Sequence, residues 1–329
     1  MQILTQPVGP NEAYLTIYLQ DQSPELATAD IRPAVLILPG GGYRICSDRE
    51  AEPVALAYLA EGYNAFVLRY SVGENCSAAM ALEDAQAALA EVRSHAGQWH
   101  IAPDKIAAVG FSAGGHLAAS LGTVEGEKPD ALVLGYPATQ REMGLLIGKE
   151  VWPASEKVTA ETPPSFIFST SDDSVVPVEN SLCFASALAH SGVYFELHIY
   201  LTGEHGASLG TAATANGQPS MVNGPESQWF GESVRFLRQI WGDFALPGAR
   251  PFTPIRLRKA YSLDTPLKKL LKNSRCREIL EQYLPGMLDR MLSNPMAQGL
   301  SLNQIAAFGG QLMPPKLLEK LGKALDACN

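Results

Sequence analysis

The 329-residue chain has few cysteines and none in a suggestive pattern: Cys46, Cys76, Cys183, Cys276 and Cys328 are scattered, with no CxxC spacing. This excludes a clustered zinc ligand set and a disulfide framework, and reads as reduced thiols in a cytoplasmic protein. No apolar run approaches the 18 residues a membrane span needs, so no membrane association is expected. The opening MQILTQPVGP has neither the basic stretch nor the apolar core of a secretory signal, so none is expected. Neither GxxxxGKS nor GxxxxGKT occurs, and the glycine triplet of PGGGYRI does not complete GxGxxG. Phosphate-loop and dinucleotide-loop readings therefore fall away.

What is there is ordinary for a globular protein: 46% hydrophobic and 18% charged residues, on a chain long enough for one large domain and a smaller one. Charge is unevenly placed. Residues 250–329 carry 13 Lys and Arg against 6 Asp and Glu, which leaves 12 against 28 for residues 1–249. With no recognition motif beside it, the basic segment reads as a tail complementary to an acidic body, and no nucleic-acid partner is expected.

Apolar, β-rich runs alternate with longer helical patterns. Strands are expected at 14–19, 34–38, 64–70, 105–110, 131–136, 165–170 and 193–200. Helices are expected at 50–61, at 77–95, directly after Ser112, at 178–190 and at 225–241. The alternation implies a mostly parallel central sheet with helices on both faces, over residues 1–246. Pro247, Gly248, Pro251 and Pro254 then mark a linker. Residues 247–329 hold no strand pattern and read as a small all-helical module, with Asp264 as one N-cap and Ser274 as another. That module leaves self-association into a homo-oligomer open.

Three glycines and a serine stand at one strand-to-helix junction, AAVGFSAGGHLAAS. Gly110-Phe111-Ser112-Ala113-Gly114 matches GxSxG, a short pattern that gains meaning from its strand–turn–helix setting. Such a turn presents the serine at the carboxyl edge of the sheet on a helix N-terminus. A hydroxyl needs a base to become a nucleophile, and in this setting the partners follow in the order acid, then histidine. His95 and His100 come too early, and His116 lies one helical turn past the serine. His190 ends a helix and His198 lies within a strand; His205, in the glycine-flanked loop LTGEHGAS, is the best-placed base. Asp172 and Asp173 end the preceding strand; neighbours point to opposite sides, so one orients the imidazole, with Asp173 preferred and Asp172 open. Gly40, Gly41 and Gly42 offer backbone N–H groups at close approach, and Ala113 adds another, as an oxyanion site requires.

With PGGGY, GFSAGGHLA, SDDSVVPVENS and GEHG in this order, the chain resembles the α/β-hydrolase superfamily, and within it the lipase/esterase branch of carbohydrate acetyl esterases and feruloyl esterases. The resemblance runs from about residue 34 to 241. It implies Ser112 as nucleophile, His205 as general base, Asp173 by the DxxVP spacing, and Gly41 and Gly42 with Ala113 as oxyanion donors. Pro39 stands where many relatives have histidine. The implied activity is hydrolysis of small acyl esters, acetyl or feruloyl, on sugars such as xylo-oligosaccharides, through an acyl-enzyme and with neither cofactor nor metal. The segment 139–158 is too short for a large lid, which disfavours long-chain lipids as substrates. Tyr43, Trp152 and Trp229 either stack on a sugar or sit in the core. The rivals are a serine peptidase of the prolyl-oligopeptidase type, whose usual propeller has no room here, and an idle hydrolase fold used for binding.

Overall fold

Continuous apolar runs form the strands of a single sheet. The computed structural model describes every residue except 243, 245–260, 310–312, 327 and 329. The strands are β1 (Gln2–Val8), β2 (Ala13–Leu19), β3 (Arg32–Leu38), β4 (Asn64–Arg69), β5 (Ile101–Phe111), β6 (Ala131–Gly135), β7 (Ser165–Thr170) and β8 (Phe195–Tyr200), in spatial order β1-β2-β4-β3-β5-β6-β7-β8. From β4 to β8 all neighbours are parallel; β2 joins β4, and β1 joins β2, antiparallel.

The alternation along each strand divides the core in two. Leu36 and Leu38 of β3 and Ala108 of β5 face one cluster, with Leu89 of α2 (Ala78–Ser94), Leu117 of α3 (Ala113–Thr123) and Phe184 of α5 (Glu179–Ser191). Val35 and Ile37 of β3 and Val109 of β5 face the other, with Tyr58 of α1 (Glu52–Ala60) and Trp229 and Leu237 of α6 (Trp229–Trp241). A sheet covered on both faces requires unbroken apolar strands, which is how AVLIL and ALVLG read. A short helix, α4 (Met143–Ile147), lies between β6 and β7.

The differences from expectation lie at edges. β1 was not foreseen: QILTQPV is mostly exposed and contains Pro7, as an edge strand can, and its partner β2 defines it. The expected helix at 50–61 begins instead as a one-turn 3-10 segment, Asp48–Glu50, ahead of α1. The helix expected at 225–241 likewise opens as a 3-10 turn, Pro225–Gln228.

The chain divides into two compact units, one made of Met1–Ala189 with Val193–Pro254, the other containing Ile255–Asn329. The expected linker from Pro247 to Pro254 falls outside the described residues. The second unit holds α7 (Leu267–Leu270), α8 (Ser274–Tyr283), α9 (Met287–Leu292), α10 (Pro295–Gly299), α11 (Leu302–Gly309) and α12 (Pro315–Asp326) around Leu267, Leu270, Leu280, Leu321 and Leu325. Two cap assignments are corrected. Asn273, not Ser274, caps α8 by accepting the Cys276 N–H at 3.0 Å. Pro266 rather than Asp264 occupies the cap position of α7, and the Asp264 carboxylate instead accepts from Asn303. Ser301 and Gln304 close α11 with a reciprocal pair of side-chain bonds.

Candidate active site

Ser112 sits where β5 hands over to α3, with φ 53° and ψ −118°. A non-glycine residue held there costs on the order of 1–3 kcal/mol, which the surrounding bonds must offset. The Ser112 N–H donates to the Gly135 carbonyl at 3.0 Å, and its own carbonyl accepts from His116 at 3.0 Å and Ala138 at 3.1 Å. The motif glycines are needed for close approach: a Cβ at Gly114 would lie 2.0 Å from the Leu38 carbonyl oxygen. The Ser112 hydroxyl does not cap α3. Its Oγ instead lies 2.9 Å from Nε2 of His205.

His205 stands on the loop after β8, and its Nδ1 lies 2.7 Å from Oδ2 of Asp173, on the loop after β7. The other oxygen of Asp173 accepts the N–H groups of Val175 and Val176 at 2.9 and 2.8 Å. Burial pushes the Asp173 carboxyl up, but the His205 bond and charge and the two amides outweigh it and hold the group below its usual range. An ionised Asp173 makes Nδ1 the protonated nitrogen, leaving the Nε2 lone pair facing the serine hydroxyl. Asp172 points elsewhere: it is exposed, and its carboxylate accepts the Gly203 N–H at 3.0 Å. His198 lies within β8, beside Glu196 and Glu232, remote from this arrangement in its bonding.

Across from Ser112 the loop after β3 presents Gly41 and Gly42. Gly41 has φ 125° and a would-be Cβ 2.3 Å from the Ile45 carbonyl oxygen, so only glycine fits. Its carbonyl accepts from Arg44 and Ile45, which curls the loop. The N–H groups of Gly41, Gly42 and Ala113 have no protein acceptor among the described residues. All three residues line a cavity of about 400 Å³ that also takes in Ser112 and His205. Its apolar wall includes Ala138, Met143, Ile147, Val151 and Val176, so the short 139–158 segment supplies part of one side.

The BD-FAE family model matches residues 15–143. The crystal structure of MGS-M1, an α/β-hydrolase enzyme from a Medee basin deep-sea metagenome library, is 44% identical with a TM-score of 0.67, covering 72% of this chain and 97% of that one. The chain belongs to the α/β-hydrolase family. The crystal structure of the acetyl ester-xyloside bifunctional hydrolase of Caldicellulosiruptor lactoaceticus is 34% identical with a TM-score of 0.60, over 70% of this chain and 89% of that one. An acetylxylan esterase of Xylanibacter ruminicola is 29% identical over 200 residues, 54% of this chain and 42% of that protein. Endo-1,4-beta-xylanase B of Butyrivibrio fibrisolvens is 34% identical over 211 residues, again 54% of this chain but 33% of that protein. The chain thus spans less than half the length of these two curated relatives.

The three aromatic candidates near the α/β-hydrolase site pack into the core or against it. Trp229 is fully buried, stacked on Phe168 at 4.8 Å, and its indole N–H donates to the Ser208 carbonyl. Tyr43 is 1% exposed, with its hydroxyl 2.8 Å from His116 Nδ1. Both are core residues, so neither offers a face to a sugar. Trp152 is half-buried, with its indole N–H on Ser120 Oγ and its ring against His116.

His116 itself is structural. Its Nε2 donates to the Trp152 carbonyl at 2.8 Å, which leaves Nδ1 to accept from Tyr43. Burial pushes the imidazole from 6.5 down to about 4, against the opposing pull of the Trp152 bond. The unfolded chain therefore gains a proton near pH 6.5 that the fold refuses until about pH 4. This contribution to stability is present above pH 6.5 and is lost as the pH falls to 4, amounting to about 3 kcal/mol at most. Urea unfolding at pH 7 and pH 5 is expected to show a smaller stability loss for His116→Gln than for the native chain. Equal losses would contradict the neutral-imidazole assignment.

Some neighbours of the site left no local trace in the sequence. Glu50 is 2% exposed and lines the cavity, with Tyr136 donating to its Oε1 at 2.7 Å. The Tyr136 ring meets that of His205 edge-on at 4.9 Å. Arg49 donates to the Gly206 carbonyl at 2.6 Å. These partners lie 86 to 157 residues apart, beyond any periodicity. The one available signal is the charged run Asp48-Arg49-Glu50, six to eight positions after Gly42 and followed by an apolar helix.

Proposed function

We propose that this chain is a serine carboxylesterase that removes small acyl groups, acetyl or feruloyl, from carbohydrates such as xylo-oligosaccharides. The hydrogen-bonded relay from Ser112 through His205 to Asp173 carries the reading. Ser112 attacks the ester carbonyl while His205 Nε2 takes its proton, and Asp173 stabilises the imidazolium. The oxyanion accepts from the N–H groups of Gly41, Gly42 and Ala113, which have no acceptor among the described residues. The imidazolium then protonates the departing sugar oxygen. Water enters and gives a proton to His205 as its oxygen bonds the acyl carbon, and His205 returns that proton to Ser112 Oγ as the acid leaves.

Support for sugar-borne acyl groups comes from relatives whose names speak of acetylxylan and acetyl ester-xyloside. All five cysteines are free thiols, Cys276 within hydrogen-bond contact of Cys328, and free thiols suit a reducing compartment. Among the described residues no helix is long and apolar enough to cross a membrane. The test is a panel of acetylated and feruloylated xylo-oligosaccharides, p-nitrophenyl acetate, p-nitrophenyl palmitate and a prolyl amide. Turnover of acetyl esters is expected to exceed that of the palmitate by at least about a hundredfold, each ten-fold step being roughly 1.4 kcal/mol of transition-state binding. Preference for palmitate would overturn the small-acyl reading, and preference for the prolyl amide would move the chain to the peptidases.

A further inference from the structure

We propose that Glu50 is a positioning residue that holds the oxyanion loop and the histidine loop in fixed relation. The inference rests on the serine-esterase reading above. Both oxygens of this buried carboxylate are used. Oε2 accepts the N–H of Gly40, the residue before the two oxyanion glycines, at 2.8 Å. Oε1 accepts the hydroxyl of Tyr136 at 2.7 Å.

A carboxylate can only accept, so the Tyr136 hydroxyl gives its hydrogen to Glu50, while its oxygen accepts the Ser208 N–H at 3.2 Å. Ser208 lies three residues past His205, and the Tyr136 ring meets the His205 ring edge-on at 4.9 Å. Tyr136 holds φ 37°, a conformation that its bonds at both ends maintain. Arg49 reinforces the brace from the adjacent position: its guanidinium donates to the Gly206 carbonyl at 2.6 Å, and its carbonyl accepts the Ser208 hydroxyl at 2.5 Å. A Cβ at Gly206 would lie 4.0 Å from Glu50 Oε1, so the carboxylate runs alongside the histidine loop itself.

Two donors facing one side chain require two acceptors. Glutamate supplies them; glutamine of the same shape supplies one, so its NH2 either opposes the Gly40 N–H or reverses the Tyr136 bond, adding a second donor to an oxygen that already accepts Ser208. That mismatch displaces the glycine loop or the tyrosine, and with it the alignment of the oxyanion donors or the base. Displacements below 1 Å at such groups reduce the chemical step far more than substrate binding.

The experiment compares Glu50→Gln, Tyr136→Phe and the double variant on p-nitrophenyl acetate, with thermal unfolding of each and Ser112→Ala in parallel. For Glu50→Gln, kcat is expected to fall about 30-fold with KM within about threefold. Tyr136→Phe should lower kcat about fivefold, and in its background Glu50→Gln should cost clearly less than 30-fold, because the two share one path. Unchanged kcat in Glu50→Gln, a loss confined to KM, or fully multiplicative effects in the double variant would overturn the proposal. If Glu50→Gln does not fold, Tyr136→Phe decides: a kcat loss with KM kept supports the brace, and native kinetics reject it. Activity retained in Ser112→Ala would overturn the esterase reading and this inference with it, whereas an inactive Ser112→Ala beside a fully active Glu50→Gln rejects the brace alone.

Discussion

Ser112→Ala is expected to lower kcat on acetyl esters by about ten-thousandfold to a millionfold, with KM within about threefold. In the proposed mechanism this hydroxyl is the attacking group: it lies 2.9 Å from the imidazole and is spared from capping α3. The variant leaves the amides of Gly41, Gly42 and Ala113 in place, so a residue of catalysis over water should survive. Alanine keeps the φ 53° backbone and its strain, and no buried partner other than His205 is abandoned, so the melting temperature should stay within about 2 °C. Steady-state kinetics with calorimetry check both statements. A variant retaining a tenth of native activity would mean that another group attacks.

The second large effect separates two adjacent aspartates. Asp173→Asn is expected to lower kcat by about ten-thousandfold, and Asp172→Asn by no more than about threefold. An asparagine at 173 still accepts the Val175 and Val176 amides through its carbonyl, which turns its NH2 toward His205. His205 Nδ1 must then accept, which moves the ring proton to Nε2, where it faces Ser112 and blocks proton transfer. Among the described residues the exposed Asp172 bonds only the Gly203 N–H, and asparagine can accept that bond equally well. Kinetics of both variants under one set of conditions give the answer; the reverse order of effects would transfer the role to Asp172.

The parts of this fold that are legible in the chain are those that local physics dictates. AVLIL and IAAVG are buried on both faces, so they carry no polar interruption and read as central strands. GFSAG states its turn through glycines that no side chain could replace. The histidine emerged from chain order and loop placement, since the other five stand in helices, in strands or too early. Choosing between Asp172 and Asp173 by residue type alone is harder, because both are carboxylates and the decision lies in how the loops after β7 and β8 meet. The same holds for Glu50, which reads locally as the start of a helix and is buried where Gly40 and Tyr136 converge on it. In the helical unit, Asn273 and Ser274 are equally good caps by type; the extended backbone of Asn273 makes it the one that accepts the Cys276 amide. β1 is visible only through β2, as edge strands of mixed polarity generally are.

The central claim is that Ser112, activated by His205, forms a covalent acyl intermediate. A fluorophosphonate reports this most directly, because it phosphonylates a serine only when base and oxyanion donors act on it. The native chain should take up one equivalent, mapped by mass spectrometry to the peptide containing Ser112, with esterase activity falling in step with the adduct. Absence of any adduct, or an adduct on another residue while activity persists, would contradict the account.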